Sequence, residues 1–274
     1  CPARNDIQGM VSLAAGGKYR EALQLLKETS PFPSVCGRVC YHPCESDCNR
    51  KQIDDPVGIQ SVERFLADQD AQAGRPYLPE CRPPRAEKVA VIGSGPAGLS
   101  AAYFLARDGY PVTVYERLPV AGGMMRVGIP EYRLPRDVLS REIALIEQLG
   151  VQIRTGVEVG RDVTVSGLRE QGVMAFFLAI GAHECKRLGL EGEDLQGVYP
   201  GVEFLRDVNL GKKKSLGERV AVVGGGNVAM DSVRTALRTG SGKAFVLYRR
   251  GPEDMPADPE EIRECEEEGV AIYP

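Results

Sequence analysis

The chain has 274 residues, and its 34 lysines and arginines stand against 38 aspartates and glutamates, which gives a formal net charge of −4. That weak acidity excludes the basic surface with which proteins bind nucleic acid or anionic membranes, and 43% hydrophobic with 26% charged residues excludes a disordered chain. No apolar run is long enough for a membrane span and no secretion signal opens the sequence, so we expect a soluble, cytoplasmic protein of more than one domain.

The first third of the chain has a helical pattern. Apolar residues recur with helical spacing over 5–28 and again over 57–70, on either side of a turn-rich segment at 30–50. Four prolines then fall within 74–85, and they can neither continue a helix nor lie inside a sheet. We predict an α-helical domain over 1–73 and an extended, proline-rich linker over 74–86.

Five of the eight cysteines lie in the first 48 residues: Cys1, Cys36, Cys40, Cys44 and Cys48. Without a secretion signal, such a cluster indicates metal or redox chemistry before disulfides. Thiolates at this density suit an iron–sulfur cluster or zinc, but structural zinc sites usually separate two close pairs of ligands by a longer loop, which is missing here. An iron–sulfur cluster is the favoured interpretation, with zinc and disulfides as the alternatives.

A strand, a glycine turn, a helix and a second strand follow each other over 88–116, which is typical of a βαβ unit with a parallel sheet. The turn matches G-x-G-x-x-G at Gly93, Gly95 and Gly98, where the backbone can approach a pyrophosphate at the start of the helix. Glu116 ends the second strand, at the position where an acid accepts hydrogen bonds from a ribose. We predict a dinucleotide site here.

The same pattern returns over 219–250, where Gly224 to Ala229 form the G-x-G-x-x-A variant. Arg249 and Arg250 follow the second strand in place of the acid, and arginine there favours a ribose 2′-phosphate. The alternative is that these arginines are surface charges. Between the two units we expect a helix, turns, a buried strand over 174–180 and a lysine-rich hinge over 211–217.

Two dinucleotide folds in one chain are explained by a bound flavin and a visiting nicotinamide that exchange a hydride. Disulfide reductases share this layout but carry a paired redox cysteine, whereas 86–184 contains no cysteine. Electrons would therefore leave through the N-terminal cysteines. The fold prediction is an α/β protein with a helical iron–sulfur domain, an FAD-binding domain over 87–217 and an incomplete NAD(P)H-binding domain over 218–274.

The segment 31–48, with its four cysteines, closely resembles the iron–sulfur domain of the small (beta) subunit of NADPH-dependent glutamate synthase. Dihydropyrimidine dehydrogenase and the flavin subunit of NADH-dependent ferredoxin:NADP oxidoreductases open with the same module. The resemblance continues through 122–135, 179–182 and 248–257, and so covers essentially the whole chain.

This resemblance implies a set of ligands and contacts. One [4Fe–4S] cluster would be bound by Cys1, Cys40, Cys44 and Glu63, although Glu63 could equally be an ordinary surface acid of its helix. Cys48 would bind a second cluster, and Cys36 matches a family cysteine that is not clearly a ligand. The FAD contacts would be Gly93, Ser94, Gly95, Pro96, Ala97, Gly98, Glu116, Arg117, Gly122, Gly123, Met124, Arg133 and Gly181. The NADPH contacts would be Gly224, Gly225, Gly226, Asn227, Val228, Arg249 and Arg250.

The implied activity is electron transfer from NADPH through FAD and [4Fe–4S] clusters to a partner subunit, without a catalytic acid or base of the protein's own. The partner could be a glutamate synthase large subunit or a ferredoxin-linked complex in which the chain is a bifurcating module. A non-catalytic electron-transfer scaffold is the alternative from another class. The sequence opens at the Cys-Pro pair and stops inside the nicotinamide domain, so we expect a portion of a longer subunit.

Overall fold

The computed structural model describes residues 1–274, apart from the side chain of Pro252. The backbone forms two compact units, of which the first comprises Cys1–Met125 with Tyr132–Gly181 and the second Arg126–Glu131 with Ala182–Pro274. Among the described residues, no helix is both long and apolar enough to cross a membrane.

The first unit opens with helices on both sides of the cysteines, as the sequence predicts: α1 Ile7–Ala15, α2 Tyr19–Lys27, α3 Pro33–Val39, α4 Pro43–Ser46 and α5 Ile59–Gln72. The Asp6 carboxylate accepts a hydrogen bond from the Gly9 N–H at the start of α1. Apolar side chains of α1, α2 and α5 pack into one core that includes Met10, Leu23 and Leu66. This core holds the helical region together.

The cysteine segment is more regular than its prolines suggest. Cys36 lies within α3, Cys44 lies within α4, and a 3₁₀ turn over Asn49–Gln52 follows Cys48. Pro33 and Pro43 each occupy the first position of a helix, where proline's missing N–H has no partner to lose. These two prolines therefore begin helices, and the prediction of a turn-rich segment at 30–50 is wrong for most of its length.

The linker over 74–86 contains neither helix nor strand, and its extended form stays a prediction. It is fastened to the globular part of the first unit by backbone hydrogen bonds. The Arg82 N–H donates to the Arg107 carbonyl at 2.7 Å, and the Arg85 N–H donates to the Gly109 carbonyl at 2.8 Å.

After the linker, the chain alternates strands and helices: β1 Lys88–Ile92, α6 Pro96–Arg107, β2 Val112–Glu116, α7 Met124–Val127, α8 Arg136–Gln148, β3 Gln152–Thr155, α9 Val165–Glu170 and β4 Val173–Leu178. The described strands form a parallel sheet in the order β3-β2-β1-β4. Because all strands run the same way, the loops that follow β1, β2 and β4 lie at one edge of the sheet, where α/β proteins bind ligands.

The second unit repeats this plan: α10 Gly201–Asn209, β5 Arg219–Val223, α11 Asn227–Arg238, β6 Lys243–Leu247, α12 Pro259–Glu267 and β7 Ala271–Tyr273, with a 3₁₀ turn over Pro252–Asp254. Its described strands are parallel and lie in the order β5-β6-β7. Met230, Val233 and Val246 are fully buried between the helices and this sheet. Both predicted βαβ units are therefore confirmed.

One expectation is wrong: β4 is not a buried strand. Met174 is 72% exposed, Leu178 is 71% exposed and Phe177 is 42% exposed. β4 lies at the end of the described strand order and pairs with β1 alone, while α9 packs against part of it. An apolar run predicts burial only when neighbouring layers cover both faces of the strand, and sequence periodicity does not report those layers.

Candidate functional site

The turn between β1 and α6 holds the first glycine motif. Gly93 has φ +105°, and a Cβ on it would collide with the carbonyl oxygen of Ala179. A Cβ on Gly98 would collide with the carbonyl oxygen of Gly93. A Cβ on Gly95 would meet only the Cα of Gly123, at 4.0 Å. The first and third glycines are therefore required by the fold, whereas the second leaves open space against the backbone where α6 begins.

The carboxylate of Glu116 lies beside this turn and is 5% exposed. Its Oε2 accepts hydrogen bonds from the N–H and the hydroxyl of Ser94, at 2.9 and 2.6 Å, and its Oε1 accepts one from the Leu118 N–H at 2.8 Å. A carboxylate oxygen can accept two hydrogen bonds, so Oε1 keeps capacity for one further donor, such as a ribose hydroxyl.

A second glycine loop lies against the first. The Gly122 N–H donates to both the carbonyl oxygen and the Oγ of Ser94, each at 3.1 Å. Gly123 has φ +52°, and a Cβ on it would come within 2.5 Å of the Cα of Gly95. The structure thus brings both loops together into a cradle lined by backbone. Open space at Gly95, a helix start and a buried carboxylate fit the pyrophosphate and ribose of a dinucleotide.

The structure constrains the remaining residues of the predicted FAD set less. Arg117 is exposed directly after β2, and Arg133 and Met124 are partly buried. Gly181 follows β4, and the Ala179 N–H two residues earlier donates to the Ile92 carbonyl at 2.8 Å, so the end of β4 adjoins the end of β1. Their contacts with a cofactor stay predictions.

The second glycine motif, between β5 and α11, is built differently. Gly225 lies under the ring of Tyr248, because a Cβ on it would stand 2.7 Å from a ring carbon. A Cβ on Gly226 would have no neighbour within 4 Å, so the space there is open. The loop that follows β6 closes over this turn: the Ala257 N–H donates to the Gly225 carbonyl at 3.0 Å, and the Asp258 N–H to the Asn227 side-chain oxygen at 2.9 Å.

The arginine pair directly follows β6. The Arg250 guanidinium lies 5.4 Å from the centre of the Tyr248 ring, and its Nη2 donates to the Tyr248 hydroxyl at 2.5 Å. That hydroxyl donates in turn to the Asp254 carbonyl at 3.0 Å. Arg249 is exposed. Tyr248 therefore supports Gly225 on one side of the site and Arg250 on the other, which orients one of the two cations.

Two of the predicted cluster ligands, Cys40 and Cys44, are electrostatic neighbours. Burial raises the pKa of the Cys44 thiol, and the nearby Cys40 thiol raises it further. Cys36 is farther inside, and burial followed by Glu63 raises its pKa to about 12. Cys48 has other neighbours: the N–H groups of Val57 and Arg50 lower its pKa.

Glu63 is not a surface acid. It is 7% exposed, and its Oε1 is buried without a hydrogen-bond partner among the described residues. Burial, followed by the negative charge of Glu142, raises the pKa of Glu63 to about 8. A buried carboxylate oxygen with no donor is costly unless a cation meets it, so this residue fits the role of a metal ligand.

Among the described residues, no three His, Cys, Asp or Glu side chains converge as they would around a single metal ion. The ligands of a four-iron cluster bind different iron atoms, so they stand farther apart than the ligands of one zinc ion. The donor set of neighbouring cysteines and a buried carboxylate fits such a cluster better than a closed tetrahedral site.

Sequence reasoning missed three residues that shape these sites. Gln60 Nε2 donates to the Cys40 carbonyl at 2.8 Å, Tyr248 supports the second glycine turn, and Glu142 is 4% exposed behind the cysteine helix α3. The burial of Glu142 could have been predicted from the sequence, because this residue falls inside the apolar stripe of α8. A charged residue in such a stripe is buried only when it has partners.

Comparison with known families supports both halves of this description. Residues 87–273 match the family model described as pyridine nucleotide-disulphide oxidoreductase, and residues 1–75 match the model of dihydropyrimidine dehydrogenase domain II with a 4Fe-4S cluster. A variant of FprA from Mycobacterium tuberculosis has a similar structure, with a TM-score of 0.57 and 26% identity over 67% of this chain and 48% of that one.

Curated relatives match almost the whole chain. It is 46% identical to the NADP(+)-dependent formate dehydrogenase subunit beta of Moorella thermoacetica and 44% identical to the NADPH-Fe(3+) oxidoreductase subunit beta of Geobacter sulfurreducens, matching 100% and 98% of this chain. It is 37% identical to the glutamate synthase [NADPH] small chain of Escherichia coli, again over 98% of this chain. The chain spans 42%, 41% and 60% of these relatives, respectively.

These matches confirm the expected α/β fold with an N-terminal iron–sulfur domain, and they confirm FAD, NADPH and [4Fe–4S] as the cofactors of the family. They also confirm that such chains are oxidoreductases. The chain belongs to the pyridine nucleotide-disulphide oxidoreductase family, in the group that carries a 4Fe–4S domain at its N-terminus.

Proposed function

We propose that this chain is an electron-transfer subunit that takes electrons from NADPH through FAD and passes them through [4Fe–4S] clusters to a partner subunit. The observation that carries the proposal is the opposite charge beside the two glycine turns. A buried carboxylate, Glu116, lies beside the first, whereas Arg249 and Arg250 follow β6 beside the second. A carboxylate accepts ribose hydroxyls and repels a 2′-phosphate, whereas arginines bind that phosphate.

Each site then has a distinct task. FAD accepts two electrons as a hydride from a nicotinamide and can release them singly, which is the chemistry needed to connect NADPH with a one-electron cluster. In the first site, the open space at Gly95 admits the pyrophosphate, Glu116 Oε1 accepts a ribose hydroxyl, and Arg133 neutralises phosphate charge. No side chain needs to move a proton, so no catalytic acid or base is proposed.

In the second site, Arg250 is held by Tyr248 beside the glycine turn, and Arg249 is free to reach solvent. Together they supply two guanidinium groups for a 2′-phosphate. Gly226 leaves the space that the nicotinamide dinucleotide's pyrophosphate requires. The site therefore prefers NADPH to NADH.

The cluster would be bound by Cys1, Cys40, Cys44 and Glu63. Cys40 and Cys44 are electrostatic neighbours, and Glu63 offers a buried oxygen without a donor. Cys48 would serve a second cluster, as the family resemblance implies. The domain limits at 73, 86 and 217 stay proposals, and the last differs from the backbone units, because 182–217 belong to the second compact unit.

The partner determines the overall reaction. The relatives are named as subunits of a formate dehydrogenase, an Fe(3+) oxidoreductase and a glutamate synthase, so closely similar chains serve different redox partners. We propose that this chain likewise supplies a larger redox subunit. A glutamate-forming complex is one version of that arrangement, and a ferredoxin-linked complex is the other.

The test is anaerobic stopped-flow reduction of the complete subunit by NADPH, with flavin absorbance and low-temperature EPR followed together. Flavin bleaching followed by the signal of a reduced cluster is the expected result. Absence of bleaching would reject the reductase and favour a non-catalytic scaffold. Addition of candidate acceptors, such as glutamine with 2-oxoglutarate or oxidised ferredoxin, to the isolated complex then separates the two versions.

A further inference from the structure

Glu142 is a buried acid of α8 whose partners are backbone groups of the cysteine helix. It is 4% exposed. Its Oε1 accepts a hydrogen bond from the Ser34 N–H at 2.9 Å, and its Oε2 accepts one from the Val35 N–H at 3.1 Å. Both oxygens accept, which is the pattern of an ionised carboxylate, and charge-assisted hydrogen bonds of this kind are stronger than neutral ones.

These two bonds act on the helix that presents the cysteines. α3 begins at Pro33, which has no N–H, so Ser34 and Val35 carry the first donors without a helical partner. The other end of α3 is capped by Cys40, whose N–H donates to the Cys36 carbonyl at 3.1 Å. The carboxylate of α8 therefore holds the first turn of the helix that ends at the proposed ligand Cys40.

A second connection joins α6 to the end of α2, and here the side chains donate hydrogen bonds instead of accepting them. The Tyr103 hydroxyl of α6 donates to the Lys27 carbonyl at 3.0 Å, and the Arg107 guanidinium donates to the Glu28 carbonyl at 3.3 Å. An anion thus meets the start of α3, and donors meet the end of α2, as helix dipoles favour. α6 is the helix that begins at the first glycine turn, so the cysteine helices are attached to the elements of the proposed FAD site.

We propose that Glu142 is a positioning residue for electron transfer from FAD to the cluster. Its carboxylate holds α3, and hence Cys40, in a fixed relation to the FAD-binding sheet. This inference rests on the proposed function, because it concerns the step between the two cofactors. It predicts that Glu142 governs the second electron-transfer step while leaving the reduction of FAD by NADPH unaffected.

Glu142 is also a charge beside the proposed cluster. Lys27 of α2 faces it with a positive charge and Glu63 of α5 with a carboxyl group. A negative group near the iron disfavours the reduced cluster. Loss of the Glu142 charge would therefore stabilise the reduced cluster relative to the oxidised one. The charge should raise or lower the potential even where α3 keeps its place, so the potential reports the charge and the rate of cluster reduction reports the position.

The experiment compares Glu142→Gln with wild type in the complete, cofactor-loaded protein. Glutamine retains one acceptor for α3 but replaces the other by a donor and removes the charge. Glu147→Gln is the matched control, since Glu147 lies on the same helix and is exposed. Burial raises the pKa of Glu142 to about 7, so the measurements are made at a pH of about 8.5, where the carboxylate is ionised.

We expect Glu142→Gln to retain its FAD and iron and to bleach with NADPH at the wild-type rate, while cluster reduction slows by roughly tenfold, as small misplacements of reacting groups do. The midpoint potential of the cluster rises and its EPR spectrum changes, and Glu147→Gln behaves as wild type. Wild-type cluster kinetics, potential and spectrum in Glu142→Gln would overturn the inference alone. Loss of flavin bleaching in this variant would also overturn it, because Glu142 would then act on the whole fold. Failure of the wild-type protein to reduce its cluster would instead reject the proposed function.

Discussion

Gly95 and Gly98 stand three residues apart in one turn, yet the structure gives a side chain at each a different consequence. We predict that Gly95→Ala folds normally and loses FAD, because its methyl group would fill the open space of the cradle. FAD content after purification should fall at least about tenfold, the cost of roughly one lost strong contact, while the apoprotein's melting temperature stays at the wild-type value.

Two other glycine variants serve as controls for this prediction. Gly98→Ala should lower the melting temperature of the apoprotein itself, because its methyl group would collide with the carbonyl oxygen of Gly93. Gly16→Ala should change neither property, since Gly16 has φ −81° and a Cβ there makes contacts of ordinary length. Full FAD content in Gly95→Ala would mean that the cofactor does not approach this turn.

The arginine pair makes a second prediction at the scale of single residues. Arg249→Ala with Arg250→Ala should weaken NADPH binding by about tenfold or more, because hydrogen bonds to charged groups contribute roughly 1.5–3 kcal/mol each, while NADH binding changes little. Titration of flavin bleaching with each nucleotide measures both. Lys212→Ala with Lys213→Ala removes the same charge from the hinge loop and should leave the ratio unchanged. A double arginine variant that still prefers NADPH would refute the assignment.

At the scale of elements, local patterns predict what local interactions determine. The βαβ unit predicted over 88–116 agrees with the structure at both ends, from the start of β1 to the end of β2, because apolar runs on either side of a glycine turn define it. β3 was missed, since its Gln152 and Arg154 interrupt any apolar pattern, and the exposure of β4 was missed because burial depends on other elements. The same holds for the site: glycine spacing predicts the cradle, but the contact of Glu142 with α3 joins residues more than a hundred positions apart.

The pairing of α11 with α12 depends on a buried cation. Arg234, with a side chain 6% exposed, contacts Glu261 at 3.1 Å, Glu264 at 2.6 Å and Glu268 at 2.7 Å. Arg234→Ala would leave the carboxylate of Glu261 buried without this partner, so we predict a loss of about 3–5 kcal/mol in the free energy of unfolding. Arg263→Ala, on exposed α12 surface, should cost less than about 1 kcal/mol. Denaturant unfolding measures both, and equal losses would refute the prediction.

The same contact makes stability depend on pH. Hydrogen bonds from Arg238, and then from Arg234, lower the pKa of Glu268 from 4.5 to about 2. A carboxylate whose pKa is lower in the folded state stabilises the fold above its unfolded pKa, and this contribution is lost as pH falls from 4.5 towards 2. Glu268→Gln should therefore show a weaker loss of stability over this range than wild type, whereas Glu267→Gln, at an exposed neighbour, should follow wild type. Parallel curves for Glu268→Gln and wild type would contradict this assignment.

At the scale of the whole molecule, stability is divided unevenly along the chain. The N-terminal helices share a buried cluster of Met10, Ala22, Leu23, Leu26, Ile59 and Leu66, and the described residues there include no strand. Such a small core gains much of its stability from bound metal where metal is present, because binding free energy adds to folding free energy. The sheet over 88–178 has its own hydrogen-bonded ladders and needs no metal.

We therefore predict that removal of iron loosens one region selectively. After chelation under oxidising conditions, amide hydrogen exchange should accelerate in α1, α4 and α5, while β1 and β2 keep the protection of the loaded protein. α3 should respond less than α4, because Glu142 continues to hold its first turn when the cluster is gone. Glu63→Ala, which removes a proposed ligand, should reproduce the pattern without chelator. Uniform acceleration across the sheet and the helices would mean that the cluster stabilises the whole unit, and unchanged exchange in α5 would remove Glu63 from the ligand set.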